Sequence, residues 1–273
     1  MHRPNDASND RLSVPQWLVS VRDLAEAEMA ASYGVCILDW KEPRLGALAP
    51  VAQEIWKVAA NWAKQRDVPI PLSAALGEGE VARTCSHELP DVFRWAKVGA
   101  SRTSPNTLPS LWADIRTRLP KSVELVAVAY ADAPAADCPE PEVVFQLAAE
   151  NGFQRVLVDT YTKESGSTLA WMGQRLHEIR RIARDRGLWW ALAGSIKLSD
   201  VRSLAANTLP DCFAVRGDVC GGGREGTLDP ERLRTWAEHL RAQQRGASKG
   251  QVTKRQASSE TAAPTPKQPS NPV

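Results

Sequence analysis

Residues 125–132 read Leu125-Val126-Ala127-Val128-Ala129-Tyr130-Ala131-Asp132, an unbroken apolar run ending in a carboxylate. A strand with one wet face alternates polar and apolar residues, whereas a continuous run of this length suits a strand buried on both faces of a parallel sheet. Leu188-Trp189-Trp190-Ala191-Leu192-Ala193 repeats the pattern and leads into Gly194-Ser195-Ile196-Lys197. Working outward from these two gives eight candidate strands: Trp17–Val21, Val35–Asp39, Ile70–Ala75, Arg94–Val98, Leu125–Tyr130, Arg155–Asp159, Leu188–Ala193 and Cys212–Arg216. Between them Leu24–Ser32, Val51–Gln65, Glu142–Glu150 and Thr168–Arg186 read as helices, and Pro230–Arg241 follows the last strand. In the fourth helix Leu169, Met172, Leu176, Ile179 and Ala183 recur at helical spacing. The connection Leu76–Phe93 has a weak helical pattern and reads as irregular. This alternation predicts an α/β chain folded as a single (β/α)8 TIM barrel over residues 14–245. A doubly wound open sheet is the alternative, but no Gly-rich dinucleotide fingerprint follows the first strand.

Composition narrows the class. The 273 residues are 43% hydrophobic and 24% charged, enough for one large core. A formal charge of +2 gives no reason to expect nucleic acid or membrane as a partner. No apolar run approaches the roughly 20 residues needed to span a bilayer. Residues 1–13 and 246–273 are polar and read as disordered N- and C-terminal tails, since they have too little to bury to offset their ordering entropy. Five scattered cysteines show neither a disulfide framework nor ligand spacing, which suits a reducing cytoplasm. The four histidines avoid the strand ends, so no metal and no cofactor are expected. A homo-oligomer is compatible with the sequence.

In such a barrel chemistry sits at the carboxyl ends of the strands. Strand two ends in Asp39-Trp40-Lys41, and Asp39 and Lys41, two apart, are expected to share a face. Lys97 interrupts the apolar fourth strand, where a lysine is costly unless paired or useful. Asp132 follows strand five, and Asp159 ends strand six with Lys163 four residues on. Each alone has an ordinary explanation as a cap or a solvated stem. Together they put three lysines and three carboxylates at one rim. Gly194 and Ser195 after strand seven, with Arg216, Gly217 and Gly221–Gly223 after strand eight, suggest a phosphate site built from backbone N–H groups.

Between Trp17 and Leu240 the chain resembles the (5-formylfuran-3-yl)methyl phosphate synthase family, also called 4-(hydroxymethyl)-2-furancarboxaldehyde-phosphate synthase. The resemblance lies in Asp39-Trp40-Lys41-Glu42-Pro43 with Gly46, in Lys97-Val98-Gly99, and in Tyr130-Ala131-Asp132. It continues in Asp159-Thr160 with Lys163, in Ala191–Lys197, and in Val215-Arg216-Gly217 with Cys220. It implies a lyase that joins two glyceraldehyde 3-phosphate molecules into a phosphorylated furan aldehyde, losing phosphate and water, for methanofuran-type one-carbon cofactors. It also implies that Lys41 forms the Schiff base and that Lys97 accepts a proton. Trp40 stands where the family commonly has a small aliphatic residue, Gly46-Ala47-Leu48-Ala49-Pro50 stands where it has Gly-Ser-Leu-Gly-Ala, and a second lysine expected shortly after Lys163 is replaced within Ser165-Gly166-Ser167. The chemistry is coherent in itself: an imine acidifies the neighbouring C–H, and the enamine is a carbon nucleophile towards a second aldehyde. Asp39, Asp159 and Lys163 then read as orienting or proton-shuttling groups. Asp132, Gly194, Ser195, Arg216 and Gly217 read as binding the phosphorylated aldehyde. Another class I aldolase-like lyase acting on phosphosugars, or a non-catalytic phosphometabolite-binding barrel, would use the same rim.

Overall fold

The apolar runs pair in chain order. The structure, a computed structural model, describes residues 14–66, 70–162 and 166–260, the last of these (246–260) as backbone only. The strands are β1 (Gln16–Val21), β2 (Ile37–Trp40), β3 (Leu72–Glu78), β4 (Trp95–Gly99), β5 (Glu124–Tyr130), β6 (Arg155–Asp159), β7 (Trp189–Leu192) and β8 (Cys212–Val215). All neighbours are parallel and β8 returns to β1, closing the barrel. The helices are α1 (Leu24–Ser32), α2 (Gln53–Lys64), α3 (Gly79–Cys85), α4 (Leu108–Arg118), α5 (Ala133–Ala136), α6 (Pro141–Glu150), α7 (Thr168–Met172), α8 (Arg175–Asp185), α9 (Leu198–Ser203) and α10 (Pro230–Glu260). The barrel unit is Pro15–Ala237; a second unit takes in Glu238–Val273 and the residues up to Val14. Among the described residues no helix is long and apolar enough to cross a membrane.

Besides the short helices α5 and α9, which the sequence pattern does not predict, four helical differences have a local cause. The connection after β3 is not irregular: the strand runs on to Glu78, and α3 follows at once. The helix α4 was missing from the sequence reading, because Pro105 and Pro109 crowd its start, yet Pro109 sits in the first turn, where it needs no donor. The long fourth helix is two, α7 and α8, broken at Gly173 with φ 44°. The last helix continues beyond Arg241 to Glu260 through Ala, Gln, Lys and Arg; no proline interrupts it before Pro264.

The amino-terminal end of the barrel is plugged. Arg155 at the start of β6 lies between two rings, 4.6 Å from the centroid of Trp95 and 4.2 Å from that of Trp189. Its charge is partnered by Glu124 at 3.7 Å. Above this plug Leu18, Ile37, Val126 and Leu157 fill the interior. At the outside, Trp236 in the first turns of α10 stacks on Trp17, with centroids 6.5 Å apart.

Candidate active site

Towards the carboxyl end of the barrel, polar side chains from neighbouring strands meet in register. Ser20 of β1 and Asp39 of β2 are register partners, and the Ser20 hydroxyl donates to Asp39 Oδ2 at 3.0 Å. Lys97 of β4 reaches the same oxygen, Nζ to Oδ2 2.5 Å, with the two side chains 4% and 0% exposed. Charges so far from water are tolerable only as a close, hydrogen-bonded pair. Asp39 Oδ1 is buried with no hydrogen-bond partner among the described residues. That leaves one acceptor beside the paired lysine.

Lys41 stands one residue beyond β2, at the rim. Its backbone N–H continues the ladder to Val21 O at 3.1 Å, and its Nζ approaches Ala47 O at 3.4 Å. Lys41, Lys97 and Asp159 line one cavity of about 60 Å³, together with Gly194, Ser195, Arg216, Gly217 and Arg224. Asp39 lies behind Lys97. Asp159 is buried, and its Oδ1 accepts from the N–H of Thr160 at 2.8 Å. Lys163 lies outside the described residues. Among the described residues no group of three or more His, Cys, Asp or Glu side chains is placed to hold a metal ion.

Two residues expected to bind substrate are engaged within the protein. Asp132 does not line the cavity: its carboxylate accepts from the N–H groups of Tyr161 (2.7 Å) and Thr162 (2.8 Å) and from the Thr162 hydroxyl (2.6 Å). A carboxylate serving three donors fixes the loop after β6. Arg216 touches the cavity, but its guanidinium is fully committed. Nε donates to Arg224 O, Nη1 to Ser20 O and Glu26 Oε2, and Nη2 to Glu26 Oε1 and Gly226 O, at 2.6–3.1 Å. No side-chain N–H of Arg216 remains for a phosphate. Glu26, buried on α1, supplies the balancing charge, and Arg216 and Arg22 draw its carboxyl below the usual range against the opposing effect of burial.

The loop after β7 is built around Gly194, whose φ is +88°. A Cβ there would fall on Thr168 Oγ1 and close to the Thr160 N–H. Gly194 O accepts from Thr168 N at 2.9 Å, so this glycine is where the β6 and β7 loops meet. Gly194→Ala is therefore expected to displace the loop, raising KM for a phosphorylated substrate at least tenfold in steady-state kinetics. The N–H groups leading into α9 are already used: Lys197 N donates to Asp200 (3.2 Å) and Leu198 N to Asp218 (2.9 Å). An anion in this corner would therefore meet the loop and not α9.

Glu78 and Glu26 are not among the residues expected at the rim, and the sequence assigns no role there to Tyr130 or Arg224. Glu78, at the end of β3, accepts from the Tyr130 hydroxyl and from Ser101 N, the latter at 3.0 Å. Gly99 leaves the space its carboxylate occupies. Burial raises the Glu78 pKa, and the charge of Asp159 adds to the rise. Burial also raises that of Tyr130, reinforced by Glu78. For an acid whose folded pKa is raised, stability is fully present below the unfolded pKa and declines as pH rises through the folded value. The melting temperature of Glu78→Gln minus that of the parent should thus climb between pH 4.5 and 8; a flat difference would show that Glu78 ionises without penalty. The only sequence signal was a carboxylate directly after an apolar run, masked by the missed end of β3.

Comparison with known proteins adds to this geometry. The profile of the 4-HFC-P synthase family matches residues 17–237. A (5-formylfuran-3-yl)methyl phosphate synthase of Methanopyrus kandleri is 30% identical over 245 residues, covering 83% of this chain and 99% of that one. The Methanosarcina mazei protein of the same name is 29% identical over 235 residues, covering 78% and 94%. Among solved structures, the phosphoribosylanthranilate isomerase of Thermotoga maritima superposes with a TM-score of 0.54 at 13% identity, covering 84% of this chain and 99% of that one. A ligand complex of KGPDC from Streptococcus mutans gives 0.54 at 15% identity, covering 84% and 99%. At such identities the two structures speak for the barrel fold alone.

Proposed function

Since the chain belongs to the 4-HFC-P synthase family of enzymes, we propose that it joins two molecules of glyceraldehyde 3-phosphate into (5-formylfuran-3-yl)methyl phosphate through an imine on Lys41. The observation that carries this reading is the unequal setting of two lysines on one cavity: Lys97 is clamped to Asp39, while Lys41 stands at the rim. The clamped amine is suited to passing a proton, with Asp39 as relay, and the rim amine to attacking a carbonyl.

The product's carbon skeleton orders the steps. Lys41 adds to the aldehyde of the first triose and water leaves, giving the imine. Loss of the C2 proton yields an enamine, which expels the C3 phosphate with its bonding pair. The C3 carbon, now an enol terminus, bonds to C2 of the second triose, which must first become a ketone by a proton shift from C2 to C1. Ring closure and dehydration, with release of Lys41, complete the furan. One phosphate and two waters balance the equation. Lys97–Asp39 and Asp159 are the groups on this cavity able to move those protons. Such a product places the enzyme in methanofuran-type cofactor synthesis. Incubation with glyceraldehyde 3-phosphate should give a near-ultraviolet furan chromophore of the product mass, whereas a phosphorylated sugar without that chromophore would mark an aldolase instead.

The phosphate leaving group and the retained phosphate both need an anion site, which we assign to the loops at Gly194–Ser195 and Gly217. A bound sulfate or phosphate is expected against their backbone N–H groups; density only at the Arg155 end of the barrel would refute the assignment. The polar composition of residues 246–273 also supports treating them as dispensable. Their deletion should leave turnover unchanged and move the melting temperature by less than about 2 °C, an interval that corresponds to under about 1 kcal/mol in a domain of this size.

A further inference from the structure

With Arg216 saturated, the cavity still needs a side chain that can grip a phosphate. We infer that Arg224 is that side chain, and that the same guanidinium links the phosphate to the loop carrying Lys41. The inference rests on the proposed phosphorylated substrate and extends it to a residue and a coupling.

Arg224 lines the cavity with Lys41, Lys97 and Gly217. Its Nη2 donates to Pro43 O and to Gly46 O, the latter at 2.8 Å, both in the loop that follows Lys41. Its Nε and Nη1 have no partner among the described residues. A guanidinium anchored by one nitrogen and open on the other edge presents the paired N–H geometry that a phosphate accepts. Lysine cannot reproduce that fork. Arg224 is half-buried, and burial weakens its hold on its proton while Asp159 and the neighbouring Glu225 and Glu42 support its charge. A dianion arriving on its open edge adds the compensation that burial calls for.

The surroundings are arranged to present this residue. Gly222 and Gly223 take φ of +77° and +82°, and Gly226 packs against Gly221 O so closely that no Cβ fits. The turn closes through Gly226 N to Gly223 O at 3.0 Å and Gly221 N to Thr227 O at 2.9 Å. Arg216 then grips both sides of the tip, Arg224 O at 2.6 Å and Gly226 O at 3.0 Å. One arginine holds the loop so that the other can face the ligand. Because Arg224 also binds Pro43 O and Gly46 O, and Lys41 Nζ reaches Ala47 O in the same loop, a phosphate on Arg224 tightens the segment that places the reactive amine.

The test has two readouts on the full chain. In calorimetric titration with inorganic phosphate, Arg224→Gln should weaken binding at least tenfold, and Arg224→Lys should restore it only in part. In borohydride trapping, the concentration of glyceraldehyde 3-phosphate giving half-maximal adduct should rise at least tenfold in Arg224→Gln. Trapping of unphosphorylated glyceraldehyde should fall by a clearly smaller factor, the part owed to the lost contacts with Pro43 O and Gly46 O, and a cooperative melting transition shows that the variant is folded. Equal phosphate affinity in parent and Arg224→Gln would overturn the inference, as would an equal loss of trapping with both aldehydes. A parent that forms no adduct, yet loses phosphate binding in Arg224→Gln, would refute the imine reading and leave Arg224 in place.

Discussion

Lys41→Arg is expected to abolish borohydride trapping and to lower kcat/KM by at least about 10⁴-fold, the scale on which removal of a covalent nucleophile acts. A guanidinium keeps its proton throughout the working range and has no lone pair to offer a carbonyl. Arginine is nevertheless long and cationic, so the field at the rim is nearly preserved and the loss reports chemistry. Lys97→Ala, by contrast, should slow turnover while still allowing adduct to form, because the role proposed for it lies after the imine. Peptide mapping of the reduced adduct decides between the two lysines. An adduct on Lys97 would exchange their roles, and its absence from an active enzyme would end the imine mechanism.

Asp39→Ala carries the largest expected loss of stability, about 3–5 kcal/mol in urea unfolding, because it leaves the Lys97 ammonium buried without its partner. The double variant Asp39→Leu with Lys97→Met should recover most of that loss, since an apolar pair of similar volume avoids the desolvation of both charges. It should remain inactive. Stability and activity would then separate at this pair. A loss below about 1 kcal/mol in Asp39→Ala would show instead that water or a neighbour replaces the carboxylate, as at an exposed pair.

How far the chain could be read in advance depended on the range of the interaction. The β-strands were legible because burial on both faces writes itself into consecutive residues, as in Leu125–Tyr130 and Arg155–Asp159. Lys97 was legible because a charge inside such a run demands a partner. The partner itself, Asp39, was named as a site residue, but that Ser20 and Lys97 hold it across strands was not legible. Arg216 looked like a phosphate ligand because its saturating partner, Glu26, is 190 residues away. Asp132 looked like one for the same reason, its donors lying about thirty residues on, at Tyr161 and Thr162. Local pattern names the groups at a barrel rim. Which of them are already satisfied is a property of the closed ring.

Arg155, set between Trp95 and Trp189, closes the amino-terminal end of the barrel interior, so among the described residues the cavity holding Lys41 and Lys97 is reached from the carboxyl end. For a reaction that consumes two copies of one molecule, entry from one end imposes a queue. On the proposed mechanism the copy that forms the imine on Lys41 must arrive first, and the second enters through the same opening. A third copy arriving early competes for the same opening, so turnover should pass through a maximum and fall as the triose concentration rises.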